Sequence, residues 1–409
     1  MAKIHIEIKD PENCCGCWGC ENACPTKSIT MLEDEEGFRY PKVNEDTCIE
    51  CGLCIKTCPI IHAVADKPNE NRHAFLLQHR NQDVLAQSAS GGAFTAIATY
   101  VIRQGGVVFG AAYSKDFVVK HQYVEREEDL KIFRNSKYVQ SEMGDAFAEA
   151  KKFLREGRMV CFSGVPCQLE GLLRYLRRSY DNLITVDVLC HSITSPKVFR
   201  TYVQSLRNKF GNGITSIMFR DKKPYGYKYS QMSAYIGDKQ VYKEGIDTDV
   251  YLRSFFSDVN VRPSCYDCKF KKQHHLTDFS IWDCFDVYKF SETFDNDKGV
   301  TRLLVNSEKG MRIIDSLRNE ALIMEIPVDT AVSGVNEMFH SVKTNPKRKA
   351  FFADLQASTM GGGNPLRAFF PVTKRTIAEK TFRVVTCKLG IYSIIKRLAK
   401  ATIKNIKRV

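Results

Sequence analysis

The feature that most constrains this chain is a run of four cysteines that occurs twice near the N-terminus. In each run, two residues separate the first, second and third cysteines, three residues separate the third from the fourth, and a proline follows. The first run is Cys14, Cys17, Cys20 and Cys24, and the second is Cys48, Cys51, Cys54 and Cys58. Three thiols in one tight loop can bind neighbouring irons of a single cluster, while the displaced fourth thiol reaches another.

This spacing is that of a bacterial ferredoxin with two [4Fe-4S] clusters. We expect one cluster on Cys14, Cys17, Cys20 and Cys58, and the other on Cys48, Cys51, Cys54 and Cys24. Zinc sites usually need two CxxC pairs separated by a longer loop, which this spacing does not resemble. Cys15 interrupts the repeat, and we expect it to be a non-ligand. Gly16, Gly19 and Gly52 suit backbone N–H groups that turn toward cluster sulfurs.

The composition indicates a globular protein of a reducing compartment. Hydrophobic residues make up 44% of the chain and charged residues 26%, as in ordinary globular domains. The N-terminus has no signal-peptide apolar core, and no stretch approaches the length of a membrane span. Sixteen cysteines without an export signal favour metal-binding or catalytic thiols over disulfides. We therefore expect a cytoplasmic protein.

The net charge of +13 is concentrated in the last segment. Residues 373–409 carry eleven Lys and Arg against one Glu, which leaves the remainder of the chain close to neutral. An iron–sulfur nucleic-acid binder is therefore not favoured. From residue 382 to 406, apolar and basic residues alternate at helical spacing. Such a helix can bind an anionic membrane surface or an acidic partner, or its apolar stripe can pack on the body.

Between these ends the pattern predicts a larger α/β domain. Strands and helices alternate after residue 76, whereas residues 61–75 are polar and irregular, and residues 344–372 are typical of a loop. Residues 28–43 predict a small hairpin around an acidic turn, and residues 215–237 predict shorter, more exposed strands. Ser195 as cap and Pro196 in the first turn mark the start of a helix. We predict an α+β ferredoxin module at 1–62, an α/β domain with a mixed sheet at 76–345, and a loop with a basic helical tail at 346–409. Two further cysteines, Cys167 and Cys190, follow predicted strands at the edge where sites of open α/β sheets gather.

Cys265 and Cys268 form another CxxC, for which three chemistries are open. Such a pair can bind half a zinc site, run a thiol–disulfide cycle or supply two ligands to a cluster. With Cys167 and Cys190 the count reaches four, which suits a third [4Fe-4S] cluster. A thioredoxin-like redox pair is the second alternative, because Cys265 and Cys268 lie in no clear strand-to-helix turn. A zinc site is the third. Cys161 and Cys387 are expected to be structural.

Several segments resemble the coenzyme F420 hydrogenase/dehydrogenase beta-subunit family. They are SASGGAFTAIATYVIRQGGVVFGAAY, NSKYVQS, CFSGVPCQLEGL, LCHSITSP and RPSCYDCKF, and the resemblance runs from about residue 76 to 345. It implies FAD and a [4Fe-4S] cluster in the α/β domain, and electron exchange with deazaflavin F420, ferredoxin or other partners. The positions that match the family's flavin motifs are Ser90, Gly91, Gly92, Lys137, Tyr138, Gln140, Ser141, Gly164 and Asp283.

One segment departs from the family pattern. Trp282 stands where a glycine is usual before Asp283, and Cys284 follows; we expect Cys284 to be an adventitious thiol, and a substitute ligand is the alternative. The SGG turn of residues 90–92 would offer backbone N–H groups and a helix dipole to the FAD pyrophosphate. A plain serine-capped helix is the alternative.

Together these features predict an iron–sulfur flavoprotein oxidoreductase. It would move electrons between ferredoxin or another redox subunit and a small-molecule or deazaflavin substrate through FAD, since flavins exchange both single electrons and hydride. The alternative is a non-catalytic electron-transfer subunit of a larger complex. No catalytic residue is assigned from the sequence.

Overall fold

The computed structural model describes residues 5–67, 69, 71–361, 365–392, 394, 395 and 398 of the 409-residue chain. The strands are β1 Ile29–Glu33, β2 Arg39–Val43, β3 His73–His79, β4 Val107–Tyr113, β5 Val119–Val124, β6 Val160–Gly164, β7 Leu183–Val188, β8 Ser216–Asp221, β9 Gln231–Ile236, β10 Lys239–Glu244, β11 Phe279–Asp283, β12 Thr301–Val305 and β13 Ala321–Ile326.

The helices are α1 Gly19–Ala23, α2 Leu53–Thr57, α3 Gln82–Gln87, α4 Ala93–Arg103, α5 Ala146–Arg155, α6 Pro166–Leu176, α7 Pro196–Phe210, α8 Val250–Phe256, α9 Glu308–Leu317, α10 Val328–Val332, α11 Asn336–Phe339, α12 Arg348–Gly361, α13 Pro365–Phe369 and α14 Lys374–Lys388. Short 3₁₀ turns occupy Pro11–Asn13, Glu127–Phe133, Pro263–Cys265 and Val287–Lys289.

The N-terminal module is a small α+β unit. Strands β1 and β2 form the predicted antiparallel hairpin around an acidic turn, and α1 and α2 follow the two cysteine runs. The buried side chains of Ile6 and Ile29 pack with Cys54, so the module's small apolar core contains cysteines themselves.

The larger domain is built on an eight-stranded mixed sheet of order β13-β3-β12-β11-β7-β6-β4-β5. Strands β11, β7, β6 and β4 are parallel, whereas β12 runs antiparallel to β11 and to β3. Strands β3, β11, β7, β6 and β4 therefore point the same way. Their carboxyl ends lie at one edge of the sheet, where open α/β sheets place their functional sites. The predicted fold class is confirmed.

The sheet is held by continuous apolar strands covered on both faces, as parallel strands require. On one face, Ala96 and Ile97 of α4 pack with Val108, Val186 and Leu303 of the strands. Helix α7 begins at Pro196 with the Ser195 hydroxyl accepting the Val198 N–H (3.2 Å), which confirms the predicted serine cap.

A second, antiparallel sheet of order β10-β9-β8 covers the region predicted to hold exposed strands. Its central strand β9 is buried rather than exposed. Met232 and Ala234, which lie on one face of that strand, share an apolar cluster with Val198 and Phe199 of α7, so packing against this helix buries the face.

The segment predicted as a loop at 344–372 contains two helices, α12 and α13, so that prediction was wrong. Phe351, Phe352, Leu355 and Leu366 are buried against the cluster formed by α7 and the second sheet. The glycines at 361–363 suggested a loop from sequence, but burial of Phe351, Phe352 and Leu355 favours a helix over residues 348–361. Strand β3 also begins at His73, three residues before the predicted domain start.

Candidate functional site: three thiol sets and a polar cluster

The two N-terminal cysteine runs adopt the same backbone although their glycines lie at different positions. In the first loop, Gly16 and Trp18 have φ of 66° and 65°; the matching Glu50 and Gly52 of the second have φ of 51° and 67°. A left-handed residue therefore stands before and after the second cysteine of each run. This conformation costs about 1–2 kcal/mol for a non-glycine residue. Trp18 and Glu50 thus adopt a strained backbone that both loops share.

The first thiol set is Cys14, Cys17, Cys20 and Cys58. Burial raises the pKa of the Cys20 thiol well above its ordinary value, and the nearby thiols of Cys17, Cys14 and Cys58 raise it further. The pKa of Cys58 is likewise raised to about 11, by burial first and then by Cys17 and Cys14. The structure therefore brings together the four thiols that the sequence assigned to one cluster.

The second thiol set is Cys24, Cys48, Cys51 and Cys54. All four line one small cavity together with His5 and Thr26. Backbone N–H groups of Ile6 and Ser28 donate to the Sγ atoms of Cys54 and Cys24, at 3.2 Å each. Thiolates that accept backbone hydrogen bonds in this way are typical of iron–sulfur sites.

The third thiol set is Cys167, Cys190, Cys265 and Cys268. Cys167 follows β6 at the first turn of α6, Cys190 follows β7, and the last two come from the 3₁₀ turn Pro263–Cys265 and the residues after it. Burial, and secondly the neighbouring Cys268 thiol, raise the pKa of Cys265 to about 12. Cys190 interacts with both, and Cys167 interacts with the other three thiols. Residues about a hundred positions apart thus converge at the carboxyl edge of the sheet.

Cys15 lies between the first and third thiol sets. It is buried in an apolar cluster with Cys17, Cys167 and Phe270. A hydrogen bond to Cys167 is the largest effect that raises the pKa of its thiol well above the ordinary value. A side chain at Gly171 of α6 would meet the Cys17 Sγ atom at 2.9 Å. The first cysteine loop therefore packs directly on the first turns of α6, beside the third set.

Arg262 is the residue at this junction that sequence reasoning missed. Its guanidinium donates from Nε to the Cys14 carbonyl (2.7 Å), from Nη2 to the Cys14 Sγ (3.4 Å) and the Arg39 carbonyl (3.0 Å), and from Nη1 to Gln140 Oε1 (2.9 Å). The residue is fully buried. Nothing in the local sequence distinguishes Arg262 from an ordinary surface arginine, so its contacts appear only in the structure.

The donor sets fit [4Fe-4S] clusters chemically. Each set offers four cysteine sulfurs, the ordinary ligands of such clusters. Within the described ranges, no three His, Cys, Asp or Glu side chains converge closely enough to hold a single metal ion.

The SGG turn packs against the sheet. The Gly91 N–H donates to the Thr301 Oγ1 (2.9 Å), its carbonyl accepts the His79 N–H (2.8 Å), and a side chain there would collide with the Leu77 carbonyl. Ser90 Oγ donates to the Val300 carbonyl (2.7 Å). The left-handed Gly92 (φ 82°) starts α4. Close packing on β3 and β12 is thus sufficient to require glycine at position 91.

A polar cluster stands beside this turn at the end of β11. Asp283 accepts from Arg220 Nη1 (2.9 Å) and from the Tyr227 hydroxyl (2.8 Å). Arg220 Nη1 also lies 3.5 Å from the Tyr138 hydroxyl, and its Nη2 is buried with no hydrogen-bond partner among the described residues. The Phe285 ring stacks on Tyr227 with centroids 4.9 Å apart.

Lys222 completes this polar cluster. Its ammonium donates to the Ser90 carbonyl (2.9 Å) and the Lys298 carbonyl (2.6 Å). Burial, and secondly the charge of Arg220, lower the pKa of Lys222 to about 7. The sequence had singled out Ser90, Tyr138 and Asp283 for this place but neither Arg220 nor Lys222.

The remaining positions matched to flavin motifs lie elsewhere. Gln140 donates to the Cys15 and Gly16 carbonyls, at 3.4 and 3.3 Å, against the first cysteine loop. Ser141 bonds to His121 and Gln168, and Gly164 ends β6 beside Gln168. Lys137 donates to the Ile132 and Arg134 carbonyls, and burial lowers its pKa to about 7. Their contact with a flavin stays a prediction.

Two family models match the chain in the regions that carry these sites. Residues 157–331 match the model for the C-terminal part of the coenzyme F420 hydrogenase/dehydrogenase beta subunit, and residues 13–60 match a 4Fe-4S dicluster domain. The resemblance to the coenzyme F420 hydrogenase/dehydrogenase beta-subunit family is thus confirmed for residues 157–331, and the N-terminal module matches the dicluster iron–sulfur family.

Individual relatives match parts of the chain. A coenzyme F420-dependent sulfite reductase of Methanocaldococcus jannaschii is 30% identical over 170 residues, which is 41% of this chain and 26% of that protein. The VorC subunit of a ketoisovalerate oxidoreductase from Methanothermobacter marburgensis is 38% identical over 66 residues, or 16% of this chain and 82% of that one.

Some of these relatives are much longer than the matched segments. The chain covers about a third of a polyferredoxin-like protein and about a quarter of the sulfite reductase, both from M. jannaschii. Among solved structures, a chain of the F420-reducing [NiFe] hydrogenase complex from Methanosarcina barkeri aligns with a TM-score of 0.46 and 16% identity, over 73% of this chain and 95% of that chain.

The bulky Trp282, which departs from the family pattern, is accommodated by packing in the protein interior. Trp282 and Cys284 are buried in one apolar cluster with Val287 and Phe294. Burial raises the pKa of Cys284 to about 11, and its thiol faces Asp286 (3.9 Å) rather than another cysteine. The role of Cys284 as an adventitious thiol stays a prediction.

The C-terminal helix α14 contacts the second sheet through its basic residues. Lys380 pairs with Glu244 (2.5 Å) and Arg383 with Asp247 (3.3 Å). Phe382, Val385 and Leu389 are exposed. The predicted residues Lys396, Arg397, Lys400, Ile403, Lys404, Ile406, Lys407 and Arg408 lie outside the described residues. No helix in the described part of the chain is long and apolar enough to span a membrane.

Proposed function

We propose that the protein is an iron–sulfur flavoprotein oxidoreductase that moves electrons between one-electron carriers and a two-electron donor or acceptor. The observation that carries this proposal is the third thiol set, Cys167, Cys190, Cys265 and Cys268, which lies against the first cysteine loop. Clusters would supply one-electron steps, and FAD would supply both one- and two-electron steps.

The chain's own residues support three cluster sites. The first thiol set would hold one cluster, the second set another, and the third set a further one at the edge of the sheet. Apolar residues Phe270, Ile60 and Val165 surround the thiols where the first and third sets meet. This packing limits solvent access to the sulfurs, which would tune the reduction potential of clusters held there.

The polar cluster at the end of β11 supports a flavin site. Among the described residues, the Arg220 Nη2 is buried without a partner, and the hydrogen bonds of the Lys222 ammonium go to two carbonyl oxygens. An anionic diphosphate could accept from this remaining Arg220 N–H and from the Lys222 ammonium. The stacked rings of Tyr227 and Phe285 fit a planar aromatic ligand. Ser90, Tyr138 and Asp283 would then contact or orient the flavin nucleotide.

A non-catalytic electron-transfer subunit is the second candidate. One matched relative, VorC, is named as a subunit of a larger oxidoreductase. In that case the protein would pass electrons to a partner chain and act on no small molecule itself.

Anaerobic purification tests the proposal. We expect about twelve irons per chain, four for each thiol set, and about one FAD released by denaturation. An enzyme that works alone should reduce or oxidise a deazaflavin or another small molecule with an artificial one-electron donor or acceptor. Cofactors present without any such turnover would favour the subunit function, and iron near eight would remove the third cluster.

A ferredoxin or another redox protein is the proposed electron partner of the N-terminal module. The tail offers a second contact surface. With Lys380 and Arg383 engaged by acidic residues of the body, α14 leaves Phe382, Val385 and Leu389 toward solvent. We propose that this face, with the basic residues after it, binds an anionic membrane surface.

A further inference from the structure

The backbone of Arg262 lies in the loop that carries Cys265 of the third thiol set, whereas its side chain contacts Cys14 of the first thiol set. The Arg262 N–H donates to the Ile193 carbonyl (2.8 Å), and the Cys265 N–H donates to the Arg262 carbonyl (2.9 Å). Its guanidinium reaches the carbonyl and the Sγ of Cys14, at 2.7 and 3.4 Å. One residue therefore links the two proposed cluster environments.

The charge of Arg262 is buried without a carboxylate partner among the described residues. Its oxygen acceptors are the Cys14 and Arg39 carbonyls and the amide oxygen of Gln140. The ring of Tyr40 lies 4.3 Å from the guanidinium carbon. Arginine stays protonated in proteins, and burial of an unpaired charge is costly. Four cysteine thiolates around a [4Fe-4S] core carry net negative charge, which supplies the counter-charge at this position.

The first cysteine loop is shaped to receive this side chain. A side chain at Gly16 would lie 2.8 Å from the Arg262 Nη1 and would collide with the Gln140 amide. The matching position in the second loop is Glu50, which is exposed. The glycine therefore distinguishes the loop that faces the α/β domain from the loop that faces solvent.

We propose that Arg262 is a positioning residue that fixes the Cys14 loop against the Cys265 loop and raises the reduction potential of the cluster held by Cys14, Cys17, Cys20 and Cys58. This inference rests on the proposed function, because it requires that cluster. Reduction adds one electron to the cluster and leaves every covalent bond and proton of Arg262 in place. A buried positive charge and an N–H group on a ligand sulfur both stabilise the more negative, reduced form.

The first test is the midpoint potential of each cluster in the full-length protein, followed by EPR with dithionite as the one-electron reductant. The first cluster is assigned as the one lost in Cys17→Ser. We expect Arg262→Gln to lower its midpoint potential and to leave the other N-terminal cluster unchanged. Arg262→Lys keeps the charge and loses the forked contact with Cys14, so a smaller shift in the same direction is expected.

Arg348→Gln is the matched control. Arg348 also carries a half-buried guanidinium in this region and donates to the Val261 carbonyl (3.1 Å), but it pairs with Glu36. We expect its removal to lower stability and to leave the three midpoint potentials unchanged. Equal potentials in wild type and Arg262→Gln, at full iron content, would overturn the inference and reduce Arg262 to a packing role.

A second measurement requires no variant. Protein labelled with ¹⁵N-arginine should show a weak nitrogen hyperfine coupling to the reduced first cluster in pulsed EPR, since the guanidinium touches the Cys14 sulfur. Absence of that coupling overturns the inference even where Arg262→Gln fails to fold. Wild-type protein that lacks the first cluster's iron would instead refute the proposed function on which the inference rests.

Discussion

The N-terminal thiol sets and the third thiol set differ in how the chain assembles them. Each N-terminal loop supplies three cysteines within seven residues, on a backbone whose left-handed positions recur in both copies. The third set takes single cysteines from the ends of β6 and β7 and a pair from a distant turn. The first kind of site depends on local backbone conformation, whereas the second exists only after a large sheet has formed.

Removal of one thiol from each kind of site gives the largest expected effect. Cys265→Ser should lower the iron content from about twelve to about eight per chain, while the N-terminal clusters stay. Cys17→Ser should remove the first cluster and leave the third set's iron. Iron and sulfide analysis of anaerobically purified protein measures both. Unchanged iron in Cys265→Ser would mean that the third set holds no cluster.

The two left-handed loop positions sharpen the comparison within the N-terminal module. Gly16→Ala places a side chain at φ 66° against Gln140 and Arg262, so we expect a loss of about 2 kcal/mol or more in stability. Glu50→Ala changes a residue that already has a Cβ at the matching position, and we expect a change within about 0.5 kcal/mol. Urea unfolding of the iron-loaded protein measures the stability of both variants. Equal losses of stability would show that the contact of Gly16 with the α/β domain does not contribute to the cost of the substitution.

The polar cluster at the end of β11 is a second site assembled by the tertiary structure, and the titration of Lys222 tests whether it binds FAD. The pKa of Lys222 is lowered to about 7, so the ammonium charge is present below that pH and lost above it. We expect FAD affinity to fall on the order of tenfold between pH 6 and pH 8, since a hydrogen bond from a charged group contributes about 1.5 kcal/mol and about 1.4 kcal/mol is a tenfold change in affinity. Flavin fluorescence after dilution measures the release.

Lys222→Arg provides the control for this pH dependence. Its charge does not titrate in this range, so affinity should become independent of pH while FAD stays bound. Lys222→Met should bind FAD weakly at both pH values. Substitution within the SGG turn is not a usable alternative, because a side chain at Gly91 would collide with the β3 backbone. Identical pH profiles in wild type and Lys222→Arg would remove Lys222 from the proposed flavin site.

The smallest expected effect concerns the tail, which belongs to neither kind of thiol site. We expect weak, salt-sensitive binding of the protein to anionic vesicles, since each basic residue near such a surface contributes about 1 kcal/mol. Deletion of residues 374–409 should abolish binding and leave iron and flavin content intact. Vesicle sedimentation at low and high salt measures it. Protein that stays in the supernatant at low salt contradicts the membrane proposal, and loss of FAD on deletion would assign the tail to the fold.

The sequence by itself determined the local features of this protein. The doubled cysteine spacing predicted the dicluster module, and alternating apolar segments predicted the sheet, the Ser195 cap and the strand ends that carry Cys167 and Cys190. These succeed because ligand spacing and helix capping involve residues within a few positions of each other. The helix over residues 348–361 was missed, because its formation depends on burial of Phe351 and Leu355 against a distant core.

Only the tertiary structure decided which residues meet across the chain. Arg262 and Cys14 are 248 positions apart, and Asp283 meets Arg220 and Tyr227 from separate sheets. No local pattern encodes such contacts, because they arise from strand order and from the docking of α1 and α2 on α6. The left-handed φ of Gly16 follows from the cysteine loop itself. Its contact with Arg262 exists only because the N-terminal module docks on the α/β domain.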